Sequence, residues 1–463
     1  MGIKNIEKHS AAFNVLKCWV KCWHNFVFYR KVDYINRELV PLQEHLIFTP
    51  NHQNALMDSL AIELSFSNQF VFLSRSDIFK NKIIASILYF LKLLPVYRIR
   101  DGYESLKKNK QIFDKTMDII HNKNGFVIFP EGNHVGKRHL RVLKKGFARI
   151  AFQAEEAADY QLDIKIIPVG INYNNYENYR SDLLVIFGEP LHVSEFYESH
   201  KVNPAVAYNL IKEKLAERIK PLIIEIDSPY YDLYNGLRSV FGKQACVLLS
   251  LDPNLQIERF RAEKIMIDLL KRIETTHPET IPAIEAQLNS YLTLLDTMKF
   301  SHEEMCRQPL SKSLFGLYVL GLLVGSPLFL YGYINHFIPY YIPIHIANKI
   351  KDPQFRSSFK FVLNMVLFPL AYLFQAAIVH LIYPHPWFVL GYLISLPLTA
   401  PIAWNYPKLF RKTRKQFHFL KHQNGKTEEF ISAEMLWKEI KIKMESIFST
   451  YLKQPANQKE TIA

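Results

Sequence analysis

The sequence predicts an α/β domain, with a central sheet flanked by helices, followed by a helical region and C-terminal transmembrane helices. Three observations carry that expectation. Short apolar runs alternate with helical periodicity from about residue 40 to 200, and proline-punctuated helical runs follow to about residue 308. Much of 313–406 then lacks any Lys, Arg, Asp or Glu. Alternating strand and helix is the pattern of a sheet with helices packed against it. A charge-free run of about 20 residues is long enough to cross a bilayer.

Residues 1–35 contain Phe13, Leu16, Trp19, Val20, Trp23, Phe26 and Val27 at helical spacing, with Lys17, Lys21, His24, Arg30 and Lys31 among them. Such a basic amphipathic helix suits a bilayer headgroup region, and equally a surface helix packed on its own domain. The α/β domain is expected over 36–202. Its strand candidates are Leu46–Phe48, Phe70–Leu73, Val96–Ile99, Gly125–Phe129, Lys165–Gly170 and Leu183–Phe187. Helices are expected at Ile83–Leu94, Tyr103–Ile120 and Gly146–Ala158. Residues 203–310 read as a helical connector without a catalytic constellation.

Within 311–407 the charge-free runs Leu314–Ile334, Phe361–Tyr383 and Trp387–Tyr406 predict three or four membrane segments. The piece Phe337–Ala347, with Pro339 and Pro343, leaves the number open. Basic loops at Lys349–Lys360 and Lys408–Lys415 flank an uncharged Tyr383-Pro384-His385-Pro386 turn. The positive-inside rule places both loops in the cytoplasm and makes the last two runs a hairpin. A cytosolic basic helical tail is expected over 408–463.

The net charge of +14 calls for an acidic partner. No nucleic-acid-binding motif accompanies it, so the expected partner is anionic lipid rather than nucleic acid. Cys18 and Cys22 lie one helical turn apart among tryptophans and have no matching second pair, which argues for packing over metal. No metal site, signal peptide or myristoylation motif is expected.

Three stretches can carry chemistry. In Asn51-His52-Gln53-Asn54-Ala55-Leu56-Met57-Asp58 a strand hands over to a helix, which presents His52 at a sheet edge with a carboxylate nearby to hold its tautomer. The same residues also fit a polar turn with a capping histidine. In Leu94-Pro95-Val96-Tyr97-Arg98-Ile99-Arg100, the two arginines of an extended segment point the same way and match a phosphate. A carboxylate pairing with Asp101 fits them too. In Phe129-Pro130-Glu131-Gly132, Glu131 sits at a strand end ahead of Lys137, Arg138, His139, Arg141, Lys144 and Lys145. A buried strand with proline, Ile166-Ile167-Pro168-Val169-Gly170, follows.

In this order, over about residues 46–172, these stretches resemble the glycerophospholipid acyltransferase superfamily. The resemblance implies that His52 is the general base and that Asp58 orients it. It implies that Arg98 holds the acceptor phosphate, with Arg100 beside it, and that Glu131 and Gly132 belong to the acceptor site, with Asn51 in the matching segment. Two departures stand out. The family's Asp is expected at Met57, and the longer His-to-Asp spacing resembles the fungal-type glycerol-3-phosphate acyltransferases. The family's Thr-Arg-Ser after Phe-Pro-Glu-Gly is replaced by Asn133-His134-Val135, so Lys137, Arg138 or Lys144 are the candidates to substitute for the missing arginine.

The function this implies is a membrane-bound O-acyltransferase. It would move a fatty acyl chain from acyl-CoA or acyl carrier protein to glycerol 3-phosphate or 1-acylglycerol 3-phosphate, with no cofactor beyond the acyl donor. A non-catalytic membrane lipid-binding or scaffold protein with a degenerate acyltransferase domain is the alternative. A serine hydrolase fits less well, since no Gly-x-Ser-x-Gly elbow is present.

Overall fold

The structure, a computed structural model, describes residues 5–97, 109–133, 135–306 and 311–452. The chain divides into two compact units, Met1–Glu225 with Lys349–Phe361, and Ile226–Asn348 with Val362–Ala463.

The first unit is built on one mixed sheet. Its strands are β1 Lys31–Ile35, β2 Leu46–Pro50, β3 Val71–Arg75, β4 Leu93–Val96, β5 Phe126–Val127, β6 Lys165–Tyr173, β7 Asp182–Phe187 and β8 Leu191–His192. Among the described residues the order is β1-β7-β6-β2-β5-β3-β4, with β8 also pairing β6. β2 and β7 are buried along their whole length, as near-continuous apolar runs require. Alternate residues serve opposite faces. Ile47, Val71 and Ile166 join Ile119, Phe147, Ala151, Ile211 and Leu215 in one core. Phe48 turns the other way, onto Phe66 and Phe70 at ring distances of 6.2 and 4.8 Å.

Two prolines in this sheet have positional reasons. Pro168 lies in a central strand, at the point where β6 changes partner from β8 (Lys165, Ile166) to β7 (Val169 onward), so its missing N–H interrupts neither ladder. Pro95 lies in β4, the last strand of the order, where a lost donor is tolerated. Gly170 is required by close approach, since a Cβ there would lie 2.0 Å from the Leu222 carbonyl oxygen.

Several expected boundaries move. The helix expected over Ile83–Leu94 ends at Phe90, and Leu93–Val96 pairs with β3 as a strand. β1 was not expected at all. The helix Pro204–Ile219, assigned to the connector, buries Ala207, Ile211, Leu215 and Ile219 in the sheet's own core, so this unit continues past residue 202. The amphipathic helix near the N-terminus is present as Ala11–Cys22, continued by a π-helical turn Trp23–Phe28.

In the second unit, Tyr231–Leu248, Gln256–Thr276, Thr280–Thr297 and the tail helix Glu428–Leu452 share a core. Trp437 of the tail lies 5.7 Å from Tyr291 and 6.3 Å from Phe241, ring to ring. The tail therefore packs into the region read as a connector.

Among the described residues, three helices are long and apolar enough to cross a membrane: Ser313–Asn348, Pro353–Ile382 and Pro386–Gly425. The first is helical throughout, with Pro327, Pro339 and Pro343 inside it, but it doubles back: Tyr331 and Asn335 meet Ser395 and Tyr392, whereas Tyr340 returns to Trp404 at 5.5 Å. Polar side chains join these helices. Tyr331 and Ser395 hydroxyls lie 2.6 Å apart, Tyr392 donates to Asn335 Oδ1 at 2.5 Å, and His336 Nε2 is 2.8 Å from the Tyr372 hydroxyl. Such contacts help helices associate where lipid offers no polar partner.

Candidate active site

Parallel pairing of β2 with β5 and with β6 delivers the ends of all three strands to one edge of the sheet. His52 follows β2, Phe129 and Glu131 follow β5, and Tyr173 closes β6. This is the carboxyl edge, where α/β sheets place their sites.

Asn51 continues the sheet after Pro50. Its side chain accepts the Ile171 N–H at 2.6 Å and donates to the Ile171 carbonyl at 3.2 Å, which mimics one more strand residue. Its carboxamide, 1% exposed, is thus occupied by β6. That fixes where the next residue, His52, leaves the sheet.

The His52 Nδ1 lies 2.8 Å from Asp58 Oδ2. The same oxygen accepts the backbone N–H groups of Gln53 and Asn54, both at 2.7 Å. Asp58 Oδ1 accepts the Tyr173 hydroxyl at 2.7 Å. The Asp58 carboxylate is fully buried and has four donors, two of them amides at the start of the helix Ala55–Glu63. A helix N-terminus favours a carboxylate in its first turn. Facing a carboxylate, Nδ1 is the donor nitrogen, so in the neutral tautomer the lone pair lies on Nε2. The imidazole also stacks on Phe129, with centroids 4.1 Å apart and planes at 25°.

Between His52 and Asp58 the chain turns through Ala55, whose φ of +42° is left-handed. A residue with a Cβ seldom adopts this conformation, at a cost of about 1–3 kcal/mol. The turn is held instead by the Met57 N–H, which donates to the Asn54 carbonyl at 2.9 Å.

Glu131 sits 3% exposed behind His52. Its Oε1 accepts the His52 N–H at 2.7 Å, and its Oε2 accepts the Arg141 N–H at 3.2 Å. Burial pushes its carboxyl up to about 7, against the two amide donors, which favour the charged form. A carboxyl that holds its proton more tightly folded than unfolded lowers stability as pH rises from about 4.5 to 7, with a flat region above. Replacing Glu131 with Gln should remove about 1–3 kcal/mol of that slope. Chemical denaturation at pH 5 and pH 8 would show it as a smaller pH effect in the variant. An equal pH effect in both proteins would mean that Glu131 does not titrate in this window.

The expected basic residues have different fates. Arg138 is 4% exposed, its guanidinium donates to the Tyr173 and Asn174 carbonyls at 2.7 and 3.2 Å, and it lies over the Tyr176 ring. It is a strut between the loops. Lys137 is exposed, and its carbonyl accepts from Gln53 Nε2 at 3.2 Å. Gly132 has a φ of +66°, with the stem of exposed Lys144 close by: a Cβ at Gly132 would lie 3.5 Å from Lys144 Cγ. Arg98 and Arg100 lie outside the described residues.

Tyr173, Phe129 and Arg141 were not singled out as site residues from the sequence. Arg141 Nη1 is buried without a hydrogen-bond partner among the described residues. The alternation of β6 signalled that Tyr173 faces away from Asn172, and nothing local signalled its partner.

With this geometry in view, residues 31–172 match the Acyltransferase family. The domain belongs to the glycerophospholipid acyltransferase superfamily. Glycerol-3-phosphate O-acyltransferase 2 of Saccharomyces cerevisiae is 29% identical to the chain over 125 residues, which is 27% of this chain and 16% of that protein. Glycerol-3-phosphate O-acyltransferase 1 of the same yeast is 24% identical over 298 residues, 60% of this chain and 38% of that protein. The matches thus span well under half the length of either yeast relative. The crystal structure of the 1-acyl-sn-glycerophosphate (LPA) acyltransferase PlsC from Thermotoga maritima is similar at 16% identity and a TM-score of 0.30, over 46% of this chain and 78% of that one. The acyltransferase domain thus contains His52, Asp58 and Glu131, with the first helix of the chain preceding it.

Proposed function

We propose that this acyltransferase moves a fatty acyl group from an acyl-CoA or acyl carrier protein thioester to a hydroxyl of glycerol 3-phosphate or its 1-acyl derivative. His52 is the general base. The observation that carries this reading is the His52–Asp58 pair, with every oxygen of the carboxylate occupied and the imidazole stacked on Phe129. Nε2 takes the acceptor's proton as its oxygen attacks the thioester carbonyl, and Asp58 stabilises the imidazolium formed. The C–S bond then breaks, and the proton passes to the departing thiolate. Because a thioester is already activated, the reading calls for no metal or further cofactor. The names of the yeast relatives favour glycerol 3-phosphate as acceptor. Supplying purified protein with acyl-CoA and each acceptor in turn tests this, and ester formed on neither would refute it.

Arg141 is the candidate to replace the family's missing arginine, because its backbone N–H shares Glu131 with that of His52 and its buried Nη1 has no hydrogen-bond partner among the described residues. A guanidinium matches a phosphate bidentately. Arg141→Ala should raise the acceptor KM about tenfold or more, with a smaller change in kcat. An unchanged KM would leave the acceptor phosphate to other cations.

We infer a membrane topology from chain connectivity. Residues 349–361 belong to the same compact unit as 1–225, so both lie on one side of a bilayer. Ser313–Asn348 starts and ends on that side and does not cross once, and the next two apolar helices form the hairpin. The basic residues of 349–360 and 408–415 make that side cytoplasmic. Single cysteines at Ser311 and Lys351 should label with a membrane-impermeant reagent only from the cytoplasmic side, and one at His385 only from the other. Labelling of Ser311 and Lys351 from opposite sides would overturn this arrangement.

A further inference from the structure

The segment Lys349–Phe361 joins two apolar helices and includes the first turns of the second, Arg356–Ile382, yet it folds as part of the acyltransferase unit, about three hundred residues after His52 in sequence. Its attachments are specific. Arg356 Nη1 lies 3.5 Å from Glu177 Oε2, Lys360 Nζ donates to the Glu177 carbonyl at 3.2 Å, and the Tyr179 hydroxyl donates to the Lys360 carbonyl at 3.3 Å. Phe361, 1% exposed, packs edge-on against Phe28 at 5.5 Å. At the centre, fully buried Ser357 donates its hydroxyl to Asn54 Oδ1 at 2.5 Å.

Asn54 is the residue through which this contact reaches the chemistry. It is fully buried and stands at the N-cap of the helix Ala55–Glu63, but its side chain does not cap that helix. Its Oδ1 accepts from Ser357, its Nδ2 donates to the Tyr176 carbonyl at 3.1 Å, and its backbone N–H holds Asp58 Oδ2. It also immediately precedes left-handed Ala55. The strained turn that sets the Asp58 position is therefore fastened from outside by a side chain in the first turn of the helix Arg356–Ile382.

We propose that Ser357 is a positioning residue for the His52–Asp58 pair, and that Lys349–Phe361 is a working strap of the acyltransferase domain rather than a passive lead-in to an apolar helix. The strap sets the orientation of the Asn54 backbone, and through it the Asp58 oxygen that His52 needs. This rests on the reading of His52 as the base.

The test uses the full chain in detergent. Ser357→Ala should lower kcat about tenfold, with the KM of both substrates within about twofold, since a small misplacement is felt in the chemical step. In an Asn54→Ala background the same substitution should add less than about a twofold loss, because the two groups act through one hydrogen bond. A purely structural role would leave turnover per folded molecule unchanged, or give additive losses, and either result overturns the proposal. Docking is read separately from activity. A Cβ at Gly136 would lie 3.8 Å from Gln354 Cγ, the position a cysteine sulfur would take, so the Gly136→Cys/Gln354→Cys pair should form a disulfide identifiable by peptide mass. The oxidised protein should keep at least about half of its turnover. No disulfide, or a disulfide that abolishes turnover, contradicts a strap docked during catalysis. If wild-type protein transferred no acyl group while the disulfide formed, the functional reading would fail and the docking would stand.

Discussion

Replacing His52 with Ala should lower kcat by about 10²–10⁴-fold in a protein that still folds. In the proposed mechanism the imidazole, held by a fixed carboxylate, takes the acceptor's proton, so its loss would remove the base. The fold should survive because Asp58 keeps three of its four donors: the Gln53 and Asn54 amides and the Tyr173 hydroxyl. Glu131 also keeps the backbone N–H at position 52, which does not depend on the side chain. Turnover is to be normalised to folded protein by a thermal or denaturant melt. Near-normal turnover would remove His52 from the mechanism.

Asp58 allows two substitutions with different meanings. In Asp58→Asn, the amide oxygen can face His52 Nδ1–H and the two backbone amides, while the NH2 faces Tyr173. The tyrosine hydroxyl is able to accept as well as donate. Shape and tautomer are kept and only the charge is lost, so kcat should fall about 10–100-fold with little loss of stability. Asp58→Ala instead strands four donors in a fully buried place. That should cost about 3–5 kcal/mol of stability and about 10²–10³-fold in kcat. Denaturation midpoints and single-turnover rates on both variants measure the two effects separately. Equal stability losses in the two variants would mean that the Tyr173 hydroxyl does not reverse its role.

The pair and its neighbour Glu131 were legible in the sequence because each follows an apolar strand directly, and adjacent parallel strands bring their ends together. The extra residue before Asp58 was legible as a strain to be absorbed, and the chain turns through left-handed Ala55 in that interval. Partners far along the chain left no local trace. Tyr173 meets Asp58 only because β6 lies beside β2, and Ser357 reaches Asn54 from the far end of the chain. Asn51 and Arg138 read as ligand-binding polar residues, whereas their side chains complete the sheet and tie two loops. Leu93–Val96 prolonged an apolar helical run, and only pairing with β3 makes it a strand. β1 was missed because Lys31 and Asp33 interrupt it, as suits an edge strand half-covered on both faces. The tail helix showed an apolar stripe, but a stripe does not name its partner.

The most direct test of His52-dependent acyl transfer is acceptor-dependent thiol release from acyl-CoA, run on purified wild-type and His52→Ala protein side by side. The expected result is release by wild type that rises with glycerol 3-phosphate or its 1-acyl derivative, matches ester formed, and falls by about 10²-fold or more in the variant. Release that ignores both acceptors, or that persists unchanged in His52→Ala, would contradict it.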